Sequence, residues 1–348
     1  MIFLFTIYPH LLDSQPNEFK VLLKRPNIKL VLIPPYCMQY PLSLFNEQVR
    51  FFSRHFFGEY TQKNYIGRLK QELKKREVTS IHHSETCYFE APNFINVITI
   101  NDLIPIKFPR LCQKKTIENM KKKLDFAKNH CEKIICLSEN TKKDLLKYWG
   151  KNAGRKNIKV VYPSVPFISK ASIPFSRINM MVEKAGYQKL SRKNFFLSYG
   201  TYEPRKNITM LADLFITMDK QNKLKKSTLV LVGGRGWGGV WGRIESQIQT
   251  QYPNKKESPI IQLGFVEDDI LASLIKHAKA VLYPTIYEGF GLPVIESLSL
   301  GTPIYCSDNS SLPEICRGNC TLVAKNQWKK LMNDIIYCYD GLKYTKKK

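Results

Sequence analysis

Ala280-Val281-Leu282-Tyr283-Pro284-Thr285-Ile286-Tyr287-Glu288-Gly289-Phe290-Gly291-Leu292-Pro293-Val294-Ile295-Glu296 is the stretch on which the reading of this chain turns. Its apolar start reads as a short buried strand, and Leu292 to Leu300 reads as a helix. Gly289 and Gly291 permit a tight turn and a close approach of main chain to a ligand. Pro293 suits the first turn of a helix. Amides at such a helix start favour an anion. Glu288 precedes the turn and Glu296 stands about one helical turn later, so both carboxylates can serve one cleft. The alternative is a capped helix with solvated acids.

Working outward, strands are expected at Phe195–Gly200, Thr228–Val232, Ile260–Leu263, Ala280–Pro284 and Pro303–Cys306. Helices are expected at Ile208–Gln221, Val240–Gln251, Asp268–His277 and Leu292–Leu300. This alternation predicts a parallel sheet with helices on both faces. Ligands of such sheets bind beyond the carboxyl ends of the strands. Two further loops lie there. Gly200-Thr201-Tyr202-Glu203-Pro204-Arg205-Lys206-Asn207 places two cations before a helix, with arginine suited to bidentate phosphate contact. Gly264-Phe265-Val266 follows the next strand but one. Gly234-Arg235-Gly236-Trp237-Gly238-Gly239 matches G-x-G-x-x-G, yet it follows the second strand of its half and no acid ends the next strand. A glycine-rich loop beside the site fits better than a dinucleotide fingerprint.

Earlier in the chain, Met1–Tyr8 and Ile28–Ile33 read as strands, and Ser43–Phe57 and Tyr60–Arg76 as helices. Phe94–Ile100 alternates as a strand should and runs into Asn101-Asp102-Leu103-Ile104-Pro105. A basic helix is expected from Lys114 to His130, a strand at Ile134–Leu137, and a helix capped by Ser138 and ending near Trp149-Gly150. Ile158–Pro163 is another strand. The chain divides on this reading into residues 1–163, a linker with a short helix at 164–194, a second domain at 195–340 and a basic tail at 341–348.

The 348 residues suit two domains, and a hydrophobic fraction of 43% excludes wholesale disorder. No stretch reaches the ~20 apolar residues of a membrane span. The N-terminus lacks the marks of a signal peptide, so a cytosolic chain is expected. The net charge of +25 favours anionic partners. No recognition helix or aromatic–basic repeat points to nucleic acid. Nine cysteines without a C-x-x-C pair or a neighbouring histidine read as reduced, mostly buried thiols rather than a zinc site. His82-His83 reads as structural.

The segments around Arg205-Lys206, Gly264 and Glu288-x7-Glu296 resemble glycosyltransferase family 4, as do Ser138–Leu145, Val160-Val161-Tyr162-Pro163 and Ser310-Ser311-Leu312-Pro313-Glu314. The resemblance runs from about Ile95 to about Tyr339. Within the family the chain looks most like bacterial mannosyltransferase-type enzymes of polysaccharide and lipopolysaccharide assembly. It implies the GT-B fold, two Rossmann-like parallel-sheet domains facing a cleft, here with a shortened N-terminal domain. It also implies retaining transfer of a hexose, mannose-like, from a GDP- or UDP-linked donor to a polysaccharide or lipid-linked acceptor, with no metal required. The basic charge adds an anionic membrane surface as a partner.

By the same resemblance, Arg205 and Lys206 hold the donor diphosphate. Glu288 binds the donor sugar, with backbone around Gly289, Phe290, Gly291 and Leu292. Glu296 accepts from the ribose. Gly200 belongs to the same loops, and Gly264, Phe265 and Val266 line the base. One departure stands out: Asn101-Asp102-Leu103 occupies a strand end where relatives carry His-Asp-Leu. Asparagine can donate and accept hydrogen bonds but takes up no proton. A degenerate homologue that binds a sugar nucleotide or a partner is therefore the alternative reading.

Overall fold

Phe195-Phe196-Leu197-Ser198-Tyr199 and Thr228-Leu229-Val230-Leu231-Val232 are buried along their whole length. Strands covered on both faces carry such unbroken apolar runs. A computed structural model describes residues 70–71, 74, 79–83, 88–153, 156–163 and 173–337. The strands and helices expected before residue 70 and the basic tail lie outside the described residues. The strands form two parallel sheets, of four and of six strands. The chain separates into two compact units, Met1–Ile98 with His130–Glu132, and Thr99–Asn129 with Lys133–Lys348.

In the first unit, β1 (Ser80–His83) pairs in parallel with the first four residues of β2 (Ile95–Ile100), whose last two residues belong to the second unit. His83 is buried there. Its Nε2 lies 2.9 Å from Asn96 Oδ1, while the Asn96 amide donates to the carbonyls of Ala91 and Phe94. The asparagine oxygen is thus the acceptor and Nε2 the donor. Burial depresses the His83 pKa. The histidine is structural, as its sequence context suggests.

The second unit begins with α1 (Ile104–Lys107), α2 (Lys114–His130, whose final residue belongs to the first unit), β3 (Lys133–Cys136), α3 (Glu139–Trp149) and β4 (Asn157–Val160). β3 and β4 pair in parallel. Ser138 caps α3, its hydroxyl accepting from Thr141 N. After α4 (Phe175–Lys184) come β5 (Phe195–Tyr199), α5 (Ile208–Lys220), β6 (Thr228–Val232), α6 (Val240–Gln251), β7 (Ile260–Gly264), α7 (Asp268–His277), β8 (Ala280–Tyr283), α8 (Leu292–Ser299), β9 (Ile304–Ser307), α9 (Leu312–Cys316), β10 (Thr321–Val323) and α10 (Trp328–Tyr337). The six-stranded sheet runs β10-β9-β8-β5-β6-β7.

One face of that sheet is packed by α4, α7, α8 and α9 through Ile178, Val182, Leu274, Ile275, Val294 and Leu312. The other is packed by α5, α6 and α10 through Leu211, Phe215, Ile244, Ile248, Trp328 and Met332. The doubly wound architecture is therefore as expected. α4, read from sequence as a short helix inside a linker, seals one face of this core.

Two expectations change. Cys316 and Cys320 are joined as a disulfide, with Cα atoms 5.4 Å apart, rather than standing as free thiols. The turn between them folds the chain back after α9, and a four-residue spacing does not announce that geometry. The expected basic helix, α2, is not basic all round: Lys123 is buried, whereas Lys114, Lys115, Lys121 and Lys122 are exposed.

Candidate active site

The order of the strands in the six-stranded parallel sheet switches at β5. Its next strand in sequence, β6, lies on one side and β8 on the other. Loops leaving the carboxyl ends of β5 and β8 therefore lead to helices on opposite faces, α5 on one and α8 on the other, the position at which doubly wound sheets take their ligands. Residues from these two loops meet there.

After β5, residues Pro204–Lys206 form one 3-10 turn, and Asn207, in the left-handed region, starts α5. The turn aims Arg205 and Lys206 at the loop after β8. Arg205 Nη1 is 2.7 Å and Lys206 Nζ 2.9 Å from Glu288 Oε1. Thr285 donates to the same oxygen at 2.8 Å. Lys206 also donates to the Tyr283 hydroxyl at 2.8 Å. Arg205 further pairs with Glu203 and donates to the Tyr287 carbonyl. All three charged side chains are close to nine-tenths buried. Burial alone would raise the Glu288 pKa, but Lys206 and Arg205 outweigh it and hold the carboxyl at about 2. Burial would lower that of Arg205; Glu288 and Glu203 reverse this and raise it. Glu288 and Arg205 are thus both charged throughout the ordinary pH range.

The loop bearing Glu288 is fixed from several sides. Ser311 donates to the Phe290 carbonyl at 2.7 Å, and Glu288 N donates to Ser310 at 3.0 Å. Ser138 donates to the Gly289 carbonyl at 2.7 Å. Gly289 lies so near the end of β2 that a Cβ there would sit 2.3 Å from the Asn101 carbonyl oxygen. Tyr287 hydrogen-bonds Asp144, which accepts from Lys107 at 2.7 Å. Gly291 has φ +110 and a Cβ there would meet Leu312 at 2.6 Å. Glu314 receives the amides of Glu139 and Asn140 at 2.9 and 3.0 Å, an anion at the start of α3.

Glu296 lies on α8, and its Oε2 accepts from the buried Tyr199 hydroxyl at 2.8 Å. Burial raises its pKa, with the Tyr199 bond acting against that. Gly264 ends β7 with φ +76, Phe265 is 74% exposed, and Val266 is buried. The glycine-rich loop serves packing. Cβ atoms at Gly233, Gly236 and Gly238 would strike Gly200 O at 1.9 Å, Tyr202 O at 2.3 Å and Pro204 Cγ at 2.5 Å. Its glycines therefore admit the loop after β5.

The structure brings Arg205, Lys206 and Glu288 into direct contact and sets the Asn101 main chain against Gly289. It gives Glu296 a separate partner in Tyr199. Reading the sequence singly missed Glu203, Tyr283, Thr285 and Asp144. Glu203 and Thr285 stood inside the two quoted loops and were available as candidates; Asp144 carried no local signal.

Residues 182–346 match the family described as "Glycosyl transferases group 1". The chain is 28% identical over 259 residues to the Escherichia coli O-antigen chain mannosyltransferase B, covering 72% of this chain and 64% of that protein. It is 25% identical over 274 residues to the Salmonella typhimurium O-antigen chain mannosyltransferase RfbU, covering 77% and 67%. The chain thus spans about two thirds of the length of these relatives. Among solved structures, Anabaena Alr3699/HepE in complex with UDP and glucose aligns over 94% of this chain and 80% of its own, with TM-score 0.56 and 16% identity. WaaG, a glycosyltransferase involved in lipopolysaccharide biosynthesis, aligns over 90% and 77%, with TM-score 0.53 and 14% identity. The fold is that of the GT-B glycosyltransferases, and residues 182–346 are similar to the group 1 glycosyltransferases.

Proposed function

We propose that this protein is a retaining glycosyltransferase that moves a mannose-like hexose from a GDP- or UDP-linked donor to a polysaccharide or lipid-linked glycan acceptor. The observation that carries it is the buried cluster of Arg205, Lys206 and Glu288 where the strand order switches. A nucleoside diphosphate leaving group gains charge as the glycosidic bond breaks. Two fixed cations in a dry site stabilise that charge without reorganising. Glu288, held anionic, orients them and faces the sugar. Glu296 receives ribose hydroxyls, and Gly264, Phe265 and Val266 border the base. The relatives that are O-antigen mannosyltransferases favour mannose and a glycan acceptor.

Positive side chains at the diphosphate take the part a metal plays elsewhere, so transfer continues when EDTA is added at the start of the assay. Loss of transfer, restored by manganese or magnesium, overturns this point. A screen of sugar nucleotides by thermal shift identifies the donor, because binding to the folded state alone raises its stability. GDP-mannose is expected to give the largest shift. Absence of a shift with every GDP- and UDP-sugar, and of transfer in a glycan acceptor assay, defeats the reading.

A second reading, a homologue that binds donor without turnover, is favoured by Asn101 beside Gly289. It predicts a donor-induced shift with no transfer and no hydrolysis. Under the enzymatic reading Asn101→His changes turnover with little effect on nucleotide affinity.

A further inference from the structure

Away from the Glu288 cluster, three sulfurs converge where the chain leaves β9, ends α9 and turns toward β10. Cys306 on β9 and Cys316 at the end of α9 are buried, and Cys320 is half-buried. Their sulfurs all lie within 4.8 Å of one another. Cys306 Sγ is 3.3 Å from Cys316 Sγ and 4.0 Å from Cys320 Sγ.

We propose that Cys306, Cys316 and Cys320, when reduced, bind one thiophilic d10 cation, with Zn2+ as the ion to test. Sulfurs tetrahedrally disposed at a zinc–sulfur distance of ~2.3 Å stand roughly 3.8 Å apart. Both separations from Cys306 are near that figure. The remaining edge is closed here as the Cys316–Cys320 bond. The C-x3-C spacing of Cys316 and Cys320 falls within the range of zinc-binding turns. Arg317 at φ +45 and Gly318 at φ +79 bend the intervening chain so that both cysteines reach Cys306. An all-sulfur donor set selects soft cations over magnesium, calcium or manganese. The half-buried Cys320 gives the ion an entry side. Histidine-poor surroundings argued against zinc in the sequence, but three thiolates need no histidine.

A reductant is required to open the bond. With a trialkylphosphine, the phosphorus attacks one sulfur and the other leaves as thiolate. Water then displaces the first sulfur and gives its oxygen to phosphorus. Two thiols and one phosphine oxide result. Each cysteine loses its proton to solvent as zinc binds.

The test uses the whole chain, reduced with that phosphine under argon and shown by thiol titration in denaturant to have all nine thiols free. After loading with Zn2+ and desalting, one zinc per chain is expected. Co2+ in its place should give sulfur-to-metal charge-transfer absorption in the near ultraviolet. Cys320→Ser, at the position nearest solvent, should lower zinc affinity at least ~10-fold, and Cys306→Ser should do the same. Cys131→Ser, at a buried cysteine elsewhere, should leave loading unchanged. Fully reduced protein that retains no zinc overturns the proposal, as does loading equal in wild type and Cys320→Ser. Neither outcome depends on sugar transfer.

Discussion

Glu288 carries one oxygen that answers to two cations and a hydroxyl. Removing one cation leaves the carboxylate buried and under-compensated, which costs about 3–5 kcal/mol for a buried pair. Arg205→Ala should therefore lower thermal stability as well as turnover. Arg205→Ala with Glu288→Gln should recover part of the stability but none of the turnover. Melting curves and single-turnover rates on the two singles and the double separate these effects. If Lys206→Ala and Arg205→Ala both turn over at the wild-type rate, neither touches the diphosphate; loss of about 2–4 kcal/mol of barrier stabilisation is expected for each.

The two glutamates also respond oppositely to acid. Glu288 is depressed to about 2, so its contribution to folding is present above the unfolded value near 4.5 and fades as pH falls toward 2. Glu296 is raised, so its ionisation above the unfolded value opposes folding. Glu296→Gln is expected to raise the melting temperature slightly at pH 7 while weakening nucleotide binding. Calorimetric titration with the donor nucleotide, beside a melting curve, checks both halves. A variant that binds as tightly as wild type removes Glu296 from the ribose.

At the level of elements, the loop between β8 and α8 is held by groups from four other parts of its unit: the loop after β5, the Asn101 strand end, α3 with its cap, and Ser310-Ser311. Gly289 has no room for a side chain, since the Asn101 carbonyl stands where Cβ would be. Gly289→Ala must push the loop off the strand end, and overpacking of this kind costs about 1–3 kcal/mol. Turnover should drop far more than donor affinity, because small misplacement of reacting groups is costly to rate. Equal losses in both would show that the loop moves as one body with its ligand site. From sequence, the strands from Phe195 to Ser307 were legible within a residue or two because buried parallel strands are continuously apolar. Ser138 was legible as a helix cap. Its bond to the Gly289 carbonyl was not, since 151 positions separate the two. β1, α1, α9 and β10 span three to five residues each, too few for a hydrophobic period to show. The steric reason for the glycine-rich loop required knowing that the loop after β5 lay against it.

Over the whole molecule the charge is +25, and the lysines of α2 are mostly exposed. No helix among the described residues is long and apolar enough to cross a membrane. Exposed Lys114, Lys115, Lys121, Lys122, Lys143 and Lys147 give this unit a basic surface. Each lysine near an anionic bilayer contributes about 1 kcal/mol, and less as salt rises. The chain should sediment with phosphatidylserine-containing vesicles at moderate salt and not with phosphatidylcholine alone. Replacing Lys121 and Lys122 by Glu should weaken that recovery without changing the melting temperature. Equal recovery with both vesicles rules against surface attraction.

The hydroxyls of Ser138 and Thr141 meet the Gly289 carbonyl from a helix cap that lies well before residue 182. A protein engineer who exchanged donor specificity by grafting residues 182–346 onto another scaffold would cut that tie. The graft would inherit Arg205, Lys206 and Glu288 but not the hydroxyls that seat the main chain beside them. A working chimera has to place a serine or threonine cap opposite Gly289 in its recipient, or carry residues 99–149 along with the graft. The natural seam for recombination in this architecture therefore lies upstream of the Asn101 strand end.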